Sequence, residues 1–262
     1  MFDVNEFFRS LNTQWLGRHF WYFKELDSTN GYVKSKKKAE TAHGLTCIAD
    51  SQRQGRGLYG KTWETQPAAN LTFTVVFKPA LNNCLQTLNL MSALSVSEVL
   101  QQQTGLNFSL KWPNDVYYGN RKIGGLLTET SFTGPNLDRI LLGIGLNINQ
   151  REFNGELHDK ACSLSLITDK DGFCREDLLA HILNQIEHNY QQWENNDQLL
   201  IRGINRKLIG YGKWVRLQVD GVHSKEPSKL LGVNSSGFLH VLNNEDELKI
   251  FTHEEVRIHH AD

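Results

Sequence analysis

Apolar residues recur along the chain in two rhythms. Short β-rich runs at HFWYFKEL (19–26), GLTCIAD (44–50), LTFTVVF (71–77) and ILLGIGLNIN (140–149) predict strands, the last of them buried. A helical rhythm predicts LQTLNLMSALSVSEVLQQQTG (85–105), with Leu88, Met91, Leu94 and Val99 near one face and Gly105 as its stop. REDLLAHILNQIEHNYQQW (175–193) is a second amphipathic helix, with Leu178, Leu179, Ile182, Ile186 and Tyr190 on its apolar side. DSTN (27–30) offers capping side chains for a short helix through YVKSKKKA, whose Lys36-Lys37-Lys38 run reads as a solvated helix face. Gly119-Asn120 suits a hairpin turn between VYY and the apolar run after RKIGG. From about residue 210 the texture changes to short strands with Gly, Asn and Ser turns, typical of a small barrel, so the expected domains are 1–209 and 210–262.

Composition narrows the classes. With 262 residues, 39% of them apolar, the chain can build a packed core, and no uninterrupted apolar segment approaches the ~20 residues that cross a bilayer. Lys+Arg 28 against Asp+Glu 29 leaves a net charge of -1, which gives no general basic surface for nucleic acid. The 4 cysteines have no C-x-x-C spacing and the start, MFDVNEFF, is no leader, so a reducing cytoplasm is the expected setting, without membrane or nucleic-acid partners.

The glycines of GRGLYG (55–60) match the letters of a dinucleotide turn, but KTWETQPAAN and then a strand follow where that fingerprint needs a helix. A loop able to close over a ligand fits better, with Arg53, Arg56 and Lys61 supplying charge for an anion; a plain surface turn is the alternative. KWPND (111–115) and RKIGG (121–125) place two lysines that could bracket phosphates, and Asn147 and Asn149 end the GIGLNIN strand where an amide could meet a purine edge. Each also has a structural reading, as a turn, a hairpin tip or a strand-end cap.

Taken in order, DSTN, Q-x-x-G-R-G-x-x-G, KWPND, RKIGG and GIGLNIN resemble the biotin protein ligases, strongly over residues of about 20–150 and more weakly in the tail. The resemblance implies an α/β (α+β) catalytic domain with helices packed on a mixed sheet, followed by an SH3-like domain. It implies ATP-dependent formation of biotinyl-5′-AMP, with Mg²⁺, and transfer to a lysine of a biotin carboxyl carrier domain. Ser28, Thr29, Asn30, Gln52, Arg56, Gly57, Leu58, Lys122, Gly124 and Gly125 are then expected at biotin. Arg56, Trp63, Lys111, Trp112, Asn114, Asn147 and Asn149 are expected at ATP, with Lys122, Arg56 and Lys111 catalytic and Asp115 at the metal.

Two departures stand out. Leu58 and Lys61 occupy loop positions where the family commonly has arginine, and Arg53 is the nearest replacement cation. The first catalytic strand begins near residue 19, so an N-terminal DNA-binding domain and a repressor role are not expected. The competing readings are a lipoate-attaching ligase and a catalytically idle biotin-binding module.

Overall fold

The structure is a computed structural model that describes residues 1–78, 85–134, 136–195, 197–252 and 256–260; Cys84 lies outside them. In chain order the elements begin with α1 (Val4–Ser10), β1 (Phe20–Leu26), α2 (Thr29–Ser35), β2 (Thr46–Gln52), β3 (Leu71–Phe77) and α3 (Leu85–Thr104). The hairpins β4 (Ser109–Lys111), β5 (Asp115–Tyr118), β6 (Arg121–Thr133) and β7 (Asn136–Leu146) follow. Then come α4 (Leu164–Thr168), α5 (Arg175–Glu194) and α6 (Gln198–Lys207). They build a seven-stranded mixed sheet in the order β1-β2-β3-β7-β6-β5-β4, in which β1 and β2 are parallel and every other pair is antiparallel.

The period-two pattern divides this sheet into two unlike faces. Phe73, Val75 and Phe77 of β3 with Ile140, Leu142, Ile144 and Leu146 of β7 face the helices and form the main core with α1, α3, α5 and α6. The other face carries Thr72 and Thr74 opposite Gly145 and Gly143, and α2 covers only part of it, packing Val33 against Cys47, Val76 and Leu141. A strip of sheet without bulk is therefore left open beside α2.

Helix α3 departs from the one-sided reading, because it is buried nearly all round, between the sheet and α5. Its serines tolerate this: Ser92, Ser95 and Ser97 donate their hydroxyls to the carbonyls of Leu88, Met91 and Leu94 at 2.8–2.9 Å. The Lys36-Lys37-Lys38 run is not a helix face, since α2 stops at Ser35 and Lys36 caps it.

The tail forms β8 (Trp214–Val219), β9 (Val222–His223), β10 (Ser228–Val233), β11 (Leu239–Leu242), β12 (Leu248–Phe251) and β13 (Val256–His260), one antiparallel SH3-like sheet in the order β12-β11-β10-β8-β13 with β9 on β8. Its inner residues, including Val215, Leu217, Leu230 and Val241, join the main core. No helix of the described residues is long and apolar enough to cross a membrane.

Candidate functional site

The open strip is the floor of a cavity of about 620 Å³. The register sets the floor in two rows: Thr72–Gly145–Gly125–Asp115 across β3, β7, β6 and β5, and Gly143–Leu127 beside it, while Cys47 and Thr74 continue the second row beneath α2. Three strand-to-strand steps of ~4.8 Å make the longer row ~14 Å from end to end, room for an extended ligand with two parts. The glycines are required by what lies on them: a Cβ at Gly143 would stand 2.7 Å from Asn30 Oδ1, and one at Gly145 2.3 Å from Trp63 Cε2.

One end of the cavity is polar and neutral. Ser28 caps α2, its hydroxyl accepting from Gly31 N at 3.3 Å. Behind it the Thr29 amide donates to Gln52 Oε1 at 2.8 Å. Asn30, 4% exposed, donates to Glu129 Oε2 at 2.9 Å and accepts from Thr74 at 2.6 Å.

The other end is cationic. Lys122, Lys111, Lys61, Lys160 and Arg257 line it, against Asp115, Glu64 and Glu156, while the Arg56 guanidinium lies behind the hydroxyl and amide groups of the first end, beside Gly31 of α2. Lys122 reaches the cavity through a β-bulge: the β5–β6 register slips between Val116 and Tyr117, so Lys122 faces the same side as Gly125 and Asp115. Its Nζ lies 2.6 Å from Asp115 Oδ1, and its backbone is held by Lys160 O and Cys162 N at 2.8 and 2.9 Å. Burial pushes the Lys111 ammonium below its ordinary value; Asp115 works against this, and Arg257, Lys122 and Lys61 add to it. Its Nζ sits 5.1 Å over the Tyr117 ring, and burial with the Asp115 charge pushes the Tyr117 phenol up to about 12.

The loop between β2 and β3 roofs this floor. It is a small hairpin tied by Gly57 N to Lys61 O at 2.7 Å and Trp63 N to Gly55 O at 2.9 Å, with Tyr59 left-handed at φ 57° at its tip. Only a three-residue 3-10 turn, Leu58–Gly60, and then β3 follow its first glycines, with no α-helix, so it is not a dinucleotide turn. The Trp63 indole rests on Gly145, and its buried N–H has no acceptor among the described residues.

Most residues expected at the site line the cavity, but some are otherwise engaged. Gly124 does not line it: strand alternation turns Gly124 to the face opposite Gly125, where a Cβ would meet Leu146 Cδ2 at 2.4 Å. Asn149 does not either. Strand β7 ends at Leu146, and Asn149 turns away to clasp Phe173, donating to its carbonyl at 2.9 Å and accepting from its amide at 2.8 Å. Trp112 borders the cavity, but its indole N–H donates to Gly237 O at 3.0 Å and ties KWPND to the tail sheet. Asn114 donates to Leu126 O at 2.7 Å and Asn147 to Cys162 O at 3.1 Å, so the side-chain amide of each is fixed in orientation. Arg53, the nearest replacement cation, pairs with Asp27 at 2.8 Å and borders an adjoining cleft rather than the cavity.

Thr72, Thr74, Gly143, Gly145, Tyr117 and Glu129 were not anticipated. Alternation in LTFTVVF did mark Thr72 and Thr74, two hydroxyls on one face of an otherwise apolar strand. Nothing local marks Glu129, because its partner Asn30 is 99 residues away.

Residues 22–147 match the Biotin/lipoate A/B protein ligase family. The chain is 27% identical over 246 residues to the bifunctional ligase/repressor BirA of Bacillus subtilis, covering 92% of this chain and 75% of that protein. The biotin–protein ligase of Homo sapiens is 26% identical over 261 residues, 92% of this chain and 34% of that protein. Among solved structures, biotin protein ligase from Aquifex aeolicus in complex with biotin and ATP superposes with a TM-score of 0.80 at 32% identity, covering 93% of this chain and 100% of that one.

Proposed function

The chain belongs to the biotin protein ligase family, and from that premise we propose that it activates biotin with ATP and passes it to a lysine of a biotin carboxyl carrier domain. A biotin carboxylate oxygen attacks the α-phosphorus of ATP, pyrophosphate leaves, and biotinyl-5′-AMP results. The carrier's lysine amine then attacks the acyl carbon, forming the amide as AMP leaves and the amine gives up its proton.

The first step brings two anions together. A pair of unit charges 4 Å apart repels by about 4 kcal/mol at an effective dielectric of 20, so fixed cations must offset it. Lys122 is assigned to the biotin carboxylate and α-phosphate, and Lys111 and Arg56 to the remaining phosphate charge. In the unliganded chain Asp115 holds Lys122 in place at 2.6 Å. With a ligand's anions on Lys122, Asp115 would be released to hold Mg²⁺ together with phosphate oxygens, the donor set this ion commonly takes, and the ion would spread the phosphate charge. Asn147 gives its N–H to Cys162, which leaves its carbonyl oxygen to accept from the exocyclic amine of adenine.

Thr29 and Gln52 form the urea end, Gly143, Gly145 and Leu127 the floor under biotin's apolar rings, and Trp63 with Leu58 the roof. In this reading residues 1–209 are the catalytic domain and 210–262 the small SH3-like domain, and the free thiols of Cys47, Cys162 and Cys174 suit a reducing cytoplasm.

The observation that carries this reading is one cavity with neutral amide and hydroxyl groups at one end and clustered cations at the other. Incubation with ATP, labelled biotin or labelled lipoate, and an apo carrier domain tests it. Biotin label on the carrier's lysine is the expected result. Lipoate label alone would transfer the site to the rival acid, and label on neither would mark an idle binding module.

A further inference from the structure

A continuous hydrogen-bond chain runs from the sheet face beside α2 to the neutral end of the cavity, and it has a direction. Glu129, on β6, accepts from Asn30 Nδ2 at 2.9 Å and from Lys34 Nζ at 3.2 Å. Burial alone would raise this carboxyl, but the Asn30 and Lys34 hydrogen bonds and the Lys34 and Arg56 charges hold it below its ordinary value. As a carboxylate it only accepts, so Asn30 must turn its NH₂ toward Glu129 and Leu127 O and its Oδ1 toward Thr74.

The next two links follow from counting protons. Oδ1 also only accepts, so the single Thr74 hydroxyl proton goes to it, at 2.6 Å. Thr74 Oγ1 is then left with lone pairs toward Thr29 Oγ1, 2.8 Å away, so the Thr29 hydroxyl proton is held by Thr74 Oγ1 or by Gln52 Oε1, 3.1 Å away, and is turned from the cavity in either case. Thr29 is left with a lone pair for the cavity that it lines. Beside it, the Thr29 backbone N–H fixes Gln52 Oε1 at 2.8 Å, so Gln52 turns its NH₂ outward. The end of the chain therefore shows one acceptor and one donor side by side, the complement of the N–H and C=O of a cyclic urea.

We propose that Glu129 is a positioning residue that sets this polarity and so makes the neutral end select a ring N–H over a ring oxygen at Thr29. The inference rests on the biotin reading above but concerns a residue that does not line the cavity. If residue 129 can also donate, Asn30 can flip at the expense of its 3.3 Å contact to Leu127 O; Thr74 then accepts from Asn30 and donates to Thr29, whose own proton is released to Gln52 Oε1 or to the ligand.

The test compares biotin with its two cyclic carbamate analogues, in each of which one ring N–H is replaced by oxygen, by calorimetry and by ATP–pyrophosphate exchange. Wild type is expected to prefer biotin. Glu129→Gln and Thr74→Val are each expected to reduce that preference at least tenfold for one carbamate, with KM for ATP unchanged. The double variant is expected to lose no more than Thr74→Val alone, since both cut one chain. Lys34→Ala, which leaves Asn30 and Glu129 joined, is expected to keep the preference. Biotin binding with unchanged preference in both single variants, or losses that multiply in the double variant, would overturn the relay. Failure of wild type to bind biotin would instead overturn the reading beneath it.

Discussion

Lys122 is where residue chemistry bears most directly on the reaction. It stands on the cavity side only because of a one-residue bulge, and its ammonium is already matched to Asp115 at 2.6 Å. Removing a charge-stabilising contact of this kind typically costs 10²–10³ in rate, so Lys122→Ala should lower biotin-dependent pyrophosphate exchange by about that factor. The fold should persist, because Lys122 is a third exposed and its core neighbour is Ile123; thermal unfolding checks this. Lys111 supplies a pH signature. Its lowered pKa means it loses its charge, as pH rises, before an ordinary lysine with its value of 10.5 does. kcat/KM for ATP should therefore fall early on the alkaline side, while below that limb Lys111 is charged and the rate is flat. Lys111→Arg, which keeps the charge, should move the limb upward; an unmoved limb would take Lys111 out of phosphate binding.

At the scale of elements, strands β1, β2, β3 and β7 and helices α3 and α5 were legible because long runs with clear periods survive tertiary packing. Helices α1 and α6 were not, the first being a single capped stretch of 7 residues and the second only 10 long. The two misplaced site residues have geometric causes. Asn149 shares the parity of Asn147, but parity holds only inside a strand and β7 stops at Leu146. Gly124 parts from Gly125 by ordinary strand alternation, and what no sequence rule announces is the bulge at Ile123 that puts Lys122 on the side of Gly125 instead of Gly124. The glycine–indole contact gives an element-level prediction. A methyl at position 145 would sit 2.3 Å from Trp63 Cε2 and must push the roof away, although the backbone there accommodates alanine. Gly145→Ala should make tryptic cleavage within residues 51–63 several-fold faster and weaken biotin binding at least tenfold, while the far-UV spectrum stays unchanged.

Across the whole molecule, the tail sheet and the cavity are physically joined. Trp112 donates to Gly237 O, Thr87 donates to Ser235 O at 2.9 Å, and Arg257 of β13 lines the cationic end. The motif spacing carried the identity of the cavity's walls but not this junction, since Trp112 within KWPND gives no sign of facing a turn 125 residues later. Trp112→Phe would remove the buried N–H and leave the Gly237 carbonyl unpaired, a loss of about 1–3 kcal/mol. At ~2–4 °C per kcal/mol for a chain near this size, Tm should fall by several degrees. KM for ATP should rise more than KM for biotin, because Lys111 and Asn114 flank the tryptophan.

In the proposed reaction this cavity makes an acyl-adenylate from biotin. Its most direct measurement is ATP–pyrophosphate exchange without any carrier, with biotin, with lipoate and with no acid added, followed by recovery of the product formed from biotin. Exchange is expected to depend on biotin and to be negligible with lipoate or without acid, and biotinyl-5′-AMP is expected to be recovered. Exchange that ignores biotin, or that proceeds equally well with lipoate, would contradict it.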